Sequence, residues 1–87
     1  MGYRILDVKV AKVNLGANKL VVKRKKASGS KTRFLENVFV LNINTLITSK
    51  ENKTIQLSGI RVGSKVTIDF IKTQGKKLLA KGISILN

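Results

Sequence analysis

Leu6-Asp7-Val8-Lys9-Val10-Ala11-Lys12-Val13, LDVKVAKV in one-letter code, changes phase halfway along. Leu6, Val8 and Val10 recur at a spacing of two, which is the pattern of a strand with one buried face. After Val10 the apolar residues fall at Ala11 and Val13, in the opposite phase. A one-residue slip moves the hydrophobic set to the other side of a strand, and a β-bulge makes that slip without ending the strand. The stretch therefore reads as one long bent strand turning from one side of a small barrel to another, with Asp7, Lys9 and Lys12 pointing outward.

The spacing of two persists on either side of each break. Leu15-Gly16-Ala17-Asn18 offers a glycine and an asparagine, both tolerant of positive φ, and reads as a hairpin loop. A second strand covers Lys19 to Lys25, with Leu20 and Val22 on one face and Val21, Lys23 and Lys25 on the other. Ala27-Ser28-Gly29-Ser30 is the next turn. Thr32 to Leu41 forms a third strand with two apolar phases, Leu35, Phe39 and Leu41 in one and Phe34, Val38 and Val40 in the other; the pattern leaves open which faces inward. Residues 42–62 are irregular, with short strands or turns at 45–47 and 54–57 and a single tight turn at 58–63. In the fourth main strand Val66, Ile68 and Phe70 alternate with Lys65, Thr67 and Asp69. A hairpin at Thr73-Gln74-Gly75-Lys76 leads to the last strand, where Leu78 and Ala80 give way to Ile83 and Ile85 in the shifted phase, so Gly82 marks a bulge. The chain lacks proline and is rich in β-branched residues, as strands prefer. These features predict an all-β protein, a small five-stranded OB-like barrel, closed or partly open, forming one domain over residues 1–87. Closure removes sheet edges that would invite aggregation.

Three segments carry a family likeness: Asn44-Thr45-Leu46-Ile47, then the run from Ile55 to Val66 (IQLSGIRVGSKV), then the run from Lys77 to Ile83 (KLLAKGI). Their pattern, a threonine at a strand end followed by an LxxLxVGxxVxV stretch and a last strand with Ala and Ile, resembles a family of small bacterial OB-like barrels of unknown function. The resemblance spans nearly the whole chain and implies the fold; it brings no binding residues. It also implies export, which is common in that family.

Composition limits the chemistry. The 87 residues contain no histidine and no cysteine, so the usual acid–base and nucleophilic groups, imidazole and thiolate ligands and disulfides are all missing. The four acids, Asp7, Glu36, Glu51 and Asp69, are dispersed, and each is expected to pair with a nearby Lys or Arg rather than with one another. We expect no enzyme activity, no metal site and no cofactor. Neither a GxGxxG nor a GxxxxGK[ST] arrangement is present. No apolar run reaches the 18 or so residues of a membrane span, and the first residues alternate charge with hydrophobe, unlike a signal peptide. The expected location is cytoplasmic, or exported if a leader has been removed.

Charge is the strongest functional signal. Eighteen Lys and Arg against four Asp and Glu give a net +14, beyond the roughly 2 to 8 that solubility requires of a small domain. Residues 21–34, VVKRKKASGSKTRF, hold six cations and no acid. If Ala27–Ser30 folds back, Lys31 and Arg33 return alongside Lys23 and Lys25, and with Arg24 and Lys26 they make a cationic tip able to straddle a phosphate backbone. Phe34 is the best stacking platform for a base, with Tyr3 second, and Lys76 and Lys77 form a secondary clamp. The resulting expectation is a nucleic-acid-binding module of low sequence specificity, favouring single-stranded DNA or RNA over duplex. The alternative is a structural or protein-interaction barrel that binds an acidic protein.

Overall fold

The phase change after Val10 is a bulge. The computed structural model describes residues 2–28, 31–75 and 77–86, with the side chains at 25–28 and 31–33 outside that description. Strand β1 (Tyr3–Asn14) pairs antiparallel with β2 (Lys19–Ser28), Val10 lying opposite Val22 and Lys12 opposite Val21, so Ala11 is the extra residue. Asn18 supplies the positive φ of the connecting loop, at 51°, and the Asn14 side-chain oxygen accepts the Ala17 N–H at 3.1 Å.

A second slip interrupts β1 on its other side. Against β5 (Lys65–Lys72), Ile5 lies opposite Ile68 but Val8 lies opposite Val66, so three steps on β1 match two on β5. Asp7 takes the left-handed conformation there, φ 53°. This corrects the expectation for Leu6. The bulge turns Leu6 out, to 66% exposure, and Ile5 packs against the core in its place. Leu6, Val8 and Val10 keep their spacing of two in the sequence, so periodicity could not reveal a slip that lies between Leu6 and Val8.

The β2 strand pairs with β3 (Lys31–Val40) through ten consecutive residue pairs, from Lys19 opposite Val40 to Ser28 opposite Lys31. The expected turn at 27–30 is therefore shorter, because Ala27 and Ser28 belong to the strand; Gly29 and Ser30 lie outside the described residues. Phe39 and Leu41 are buried, which makes the phase of Leu35, Phe39 and Leu41 the inward one. The last strand, β6 (Leu78–Ile85), pairs antiparallel with β5, and its register slips between Ala80 and Gly82, leaving Lys81 as the extra residue beside the predicted Gly82.

The ring runs β1-β2-β3-β6-β5, and it closes unevenly. β3 and β6 meet in parallel at two residue pairs, Phe39 with Leu78 and Val40 with Leu79. β6 then turns to a short parallel strand, β4 (Leu46–Thr48), whose Ile47 enters the core. The Thr45 hydroxyl fixes this junction by donating to the Ala80 carbonyl at 2.6 Å. Instead of one tight turn at 58–63, the chain makes a 3-10 turn at Leu57–Gly59 and a separate turn ending at Gly63, φ 94°, whose N–H donates to the Val10 carbonyl. Ile60, between the two, is buried, and it needs both turns to reach the core. The all-β, OB-like expectation thus holds.

At the centre Phe39, Leu20, Val22, Val8, Val66 and Ile68 are almost fully buried, and Phe70 meets the Phe39 ring edge-on with centroids 5.0 Å apart. Truncating Phe39 to Ala should cost about 3–5 kcal/mol, read as a lower urea midpoint at unchanged slope. Leu6→Ser should change stability by no more than about 0.5 kcal/mol, as exposed positions do.

Candidate functional site

Lys9 stands between Val8 and Val10, both buried, so strand alternation directs it to the outer face. Its strand is flanked by β2 and β5, and the registers place Lys9 opposite Lys23 on one side and opposite Lys65 on the other. Three lysines therefore stand side by side on adjacent strands, and Glu36 of β3 is next in line, opposite Lys23. Directly opposed side chains have Cβ atoms about 4.5–5.5 Å apart, and like charges in that relation oppose folding.

A groove of about 840 Å³ opens over this row, with Arg24 and Asp7 also lining it. Leu6 and Phe34 supply its apolar wall, 66% and 56% exposed. The bulge at Asp7 explains why a leucine stands in the wall at all. The Lys23 ammonium lies 5.5 Å from the centre of the Phe34 ring, a cation–π contact that fixes the lysine without neutralising it. The groove is a concave surface of mainly positive charge with two apolar side chains at its rim.

The structure brings three of the predicted residues into one groove. Lys23, Arg24 and Phe34 line the groove. Lys31 and Arg33 do not return alongside Lys23 and Lys25, because the longer strands place Lys31 opposite Ser28 and Arg33 opposite Lys26; Glu36 faces Lys23 and Phe34 faces Lys25. The side chains of Lys25, Lys26, Lys31 and Arg33, and Lys76 altogether, lie outside the described residues. Lys77 belongs to a different groove, beside Lys19 and Asn37 where β3 and β6 part. Sequence reasoning missed Lys9, Lys65 and Leu6. A lysine between two core valines was visible as outward, but its two cationic neighbours come from strands distant in sequence.

Two of the four acids, Asp69 and Glu51, form the expected ion pairs. Asp69 lies opposite Arg4 in the β1–β5 ladder and accepts a hydrogen bond from the Arg4 Nε at 2.6 Å. That hydrogen bond, and then the charge of Asp69, raise the Arg4 pKa above its ordinary value. Glu51 pairs with Lys53 at 3.7 Å. Among the described residues no three acids gather where they could hold a metal ion. Tyr3 stacks on Phe70, centroids 5.6 Å apart, with the Lys72 ammonium 5.1 Å from its ring centre, so its one face is already occupied by protein. Among the described residues no helix is long and apolar enough to cross a membrane.

No protein-family profile matches the chain, and no curated protein matches it. Two solved structures resemble it in fold. Silver(I)-bound CusF superposes with a TM-score of 0.68 at 16% identity, covering 98% of this chain and 97% of that one. A copper(II)-bound tryptophan-to-alanine variant of CusF from Escherichia coli gives 0.67 at 17% identity, covering 97% and 90%. The expected likeness to a small bacterial β-barrel is thus met, at the level of fold.

These comparisons correct the nucleic-acid expectation. That reading took the barrel type as a guide to a binding face on the second and third strands. The barrels that match over almost the full length are described with metal ions instead, so the fold lends nucleic-acid binding no support. The register sets Arg33 opposite Lys26 and Lys31 opposite Ser28, further along the hairpin than expected.

The row of like charges has a measurable consequence for the free protein. Lys9→Gln should raise Tm by about 2–4 °C in low salt, corresponding to about 0.5 kcal/mol of relieved repulsion. The gain should vanish near 0.5 M salt, where the Debye length falls to about 4 Å. Thermal melts of both proteins at the two ionic strengths check this.

Proposed function

We propose that the chain is a non-catalytic binding barrel that takes an acidic segment of a partner protein on the groove lined by Lys9, Lys23, Arg24 and Lys65. The observation that carries this reading is the row itself: Lys9 is opposed by a lysine on each side. Four cations, Lys9, Lys23, Arg24 and Lys65, line the groove against one acid, Asp7, so the carboxylates of an acidic segment meet a surplus of positive charge there. Leu6 and Phe34 add apolar contacts that a protein segment can satisfy with its own side chains.

Carriage of silver or copper, the ions with which the CusF structures are described, does not fit this chain. Soft cations such as silver(I) and copper(I) select thioether and thiolate donors, and copper(II) takes imidazole readily. The sequence has no cysteine, no histidine and a single methionine, at position 1. We therefore infer that this barrel shape is used here without a metal. The absence of cysteine also means that the fold carries no thiol to respond to compartment, so the proposal applies to a cytoplasmic or an exported chain alike.

Fluorescence anisotropy with a labelled ten-residue peptide alternating glutamate with threonine or valine tests the reading. Binding should weaken as salt rises, and the Lys9→Glu/Lys23→Glu variant should lose at least tenfold in affinity while keeping its circular dichroism spectrum. Unchanged affinity in that variant, or no binding of the peptide at 20 mM salt, rejects the site. Silver(I) or copper(II) should leave Tm within about 1 °C of its metal-free value, since a ligand held at 100 times its Kd would add about 2.7 kcal/mol.

A further inference from the structure

Strand β3 is paired along its whole length on one side and hardly at all on the other. Toward β2 its pairing is continuous from Lys31 to Val40. Toward β6 it pairs at Phe39 and Val40, after which β6 is engaged by β4 at Gly82, Ile83 and Ser84. Among the described residues, 34–38 therefore present a strand edge to solvent. The usual protections of such an edge are charged side chains, proline or a bulge; Glu36 is the one charged residue within 34–38. The chain has no proline, the β2–β3 register contains no bulge, and Phe34, Leu35 and Val38 are 56%, 36% and 48% exposed.

Two further observations indicate what belongs there. The Asn37 side-chain oxygen is buried without a hydrogen-bond partner, a state that costs about 1–3 kcal/mol until a donor arrives. Asn37 lines a groove of about 320 Å³ at the parting of β3 and β6, whose walls also include Lys19, Lys77, Glu36 and Val38. At the other end of the same edge, Phe34 lines the basic groove described above. One strand edge of five residues, about 17 Å at 3.3 Å per residue, thus joins two grooves in which cations outnumber acids, four to one and two to one.

We propose that the acidic segment adds to the barrel as an extra strand along β3, hydrogen-bonding its main chain to residues 34–38. Its carboxylates reach Lys23 at one end and Lys19 and Lys77 at the other, and a donor on the segment satisfies Asn37. Main-chain pairing supplies affinity in such strand addition, and alternate side chains supply selectivity. A second copy of this chain is the wrong occupant: each copy carries +14, and edge-to-edge pairing would bring cationic grooves within a Debye length of about 8–10 Å. The proposal specifies how the acidic segment of the preceding section binds and rests on that reading.

Backbone N-methylation of the peptide tests it without altering the protein. The ten-residue glutamate peptide is prepared with either of its two alternating sets of central N–H groups methylated. Strand addition predicts that one methylated peptide loses at least tenfold in affinity while the other retains the parent value. Amide hydrogen exchange of the full chain should slow at least tenfold within 34–38 on adding the parent peptide. If both methylated peptides bind as the parent does, or if binding occurs with no protection at 34–38, strand addition is wrong and the acidic-partner reading survives. If the parent peptide fails to bind in low salt, the acidic-partner reading fails, and strand addition falls with it.

Discussion

The barrel depends on β1 serving two neighbours whose pleats are out of step with each other. A strand with unbroken alternation presents one face throughout, and it could not both pair with β2 at Val13 and seat Ile5 against the core beside β5. Two inserted residues solve this, one at Ala11 on the β2 side and one near Asp7 on the β5 side. Each bulge increases local twist and bends the strand. The turn that ends at Gly63 is fastened to the bend, since Val10 donates to the Ser64 carbonyl and accepts from the Gly63 N–H, both at 2.8 Å.

The same constraint makes the candidate site. Between the two bulges, Val8 and Val10 are held inward and Lys9 outward, at the point where β1 is paired on both sides. The lysine is therefore opposed by residues of two strands, and both are lysines. The bulge at Asp7 adds the apolar part by expelling Leu6 into the groove wall. Core geometry and surface chemistry are consequently linked through a few consecutive residues of one strand. A change at Asp7 would alter the packing of Ile5 and the shape of the groove together.

Uneven closure is the second structural theme. Where β3 and β6 pair at two residues, Leu78 packs against the core that holds Phe39, and among the described residues the rest of β3 is unpaired on that side. The long β2–β3 hairpin holds that edge in place by continuous pairing. The likeness to CusF barrels concerns the fold. The same fold accommodates different surfaces because inward residues set the ring while outward ones are free to vary.

Alternation along each strand was legible in the sequence, because a side-chain period of two is a local property. It correctly identified Leu20 and Val22, Val66 and Ile68, the slip after Val10 and the bulge beside Gly82. The absence of histidine and cysteine was equally decisive about the donors available. Three things needed the tertiary structure: the slip hidden between Leu6 and Val8, the inward phase of β3, and the meeting of Lys9 with Lys23 and Lys65. Each depends on register between strands far apart in the chain, and register is set by the packing of the whole ring. A run of cations close together in sequence was the conspicuous signal, and Lys23 and Arg24 of that run line the groove. Lys9 and Lys65, which join them there, are brought into line by pairing across strands, which no local spacing records.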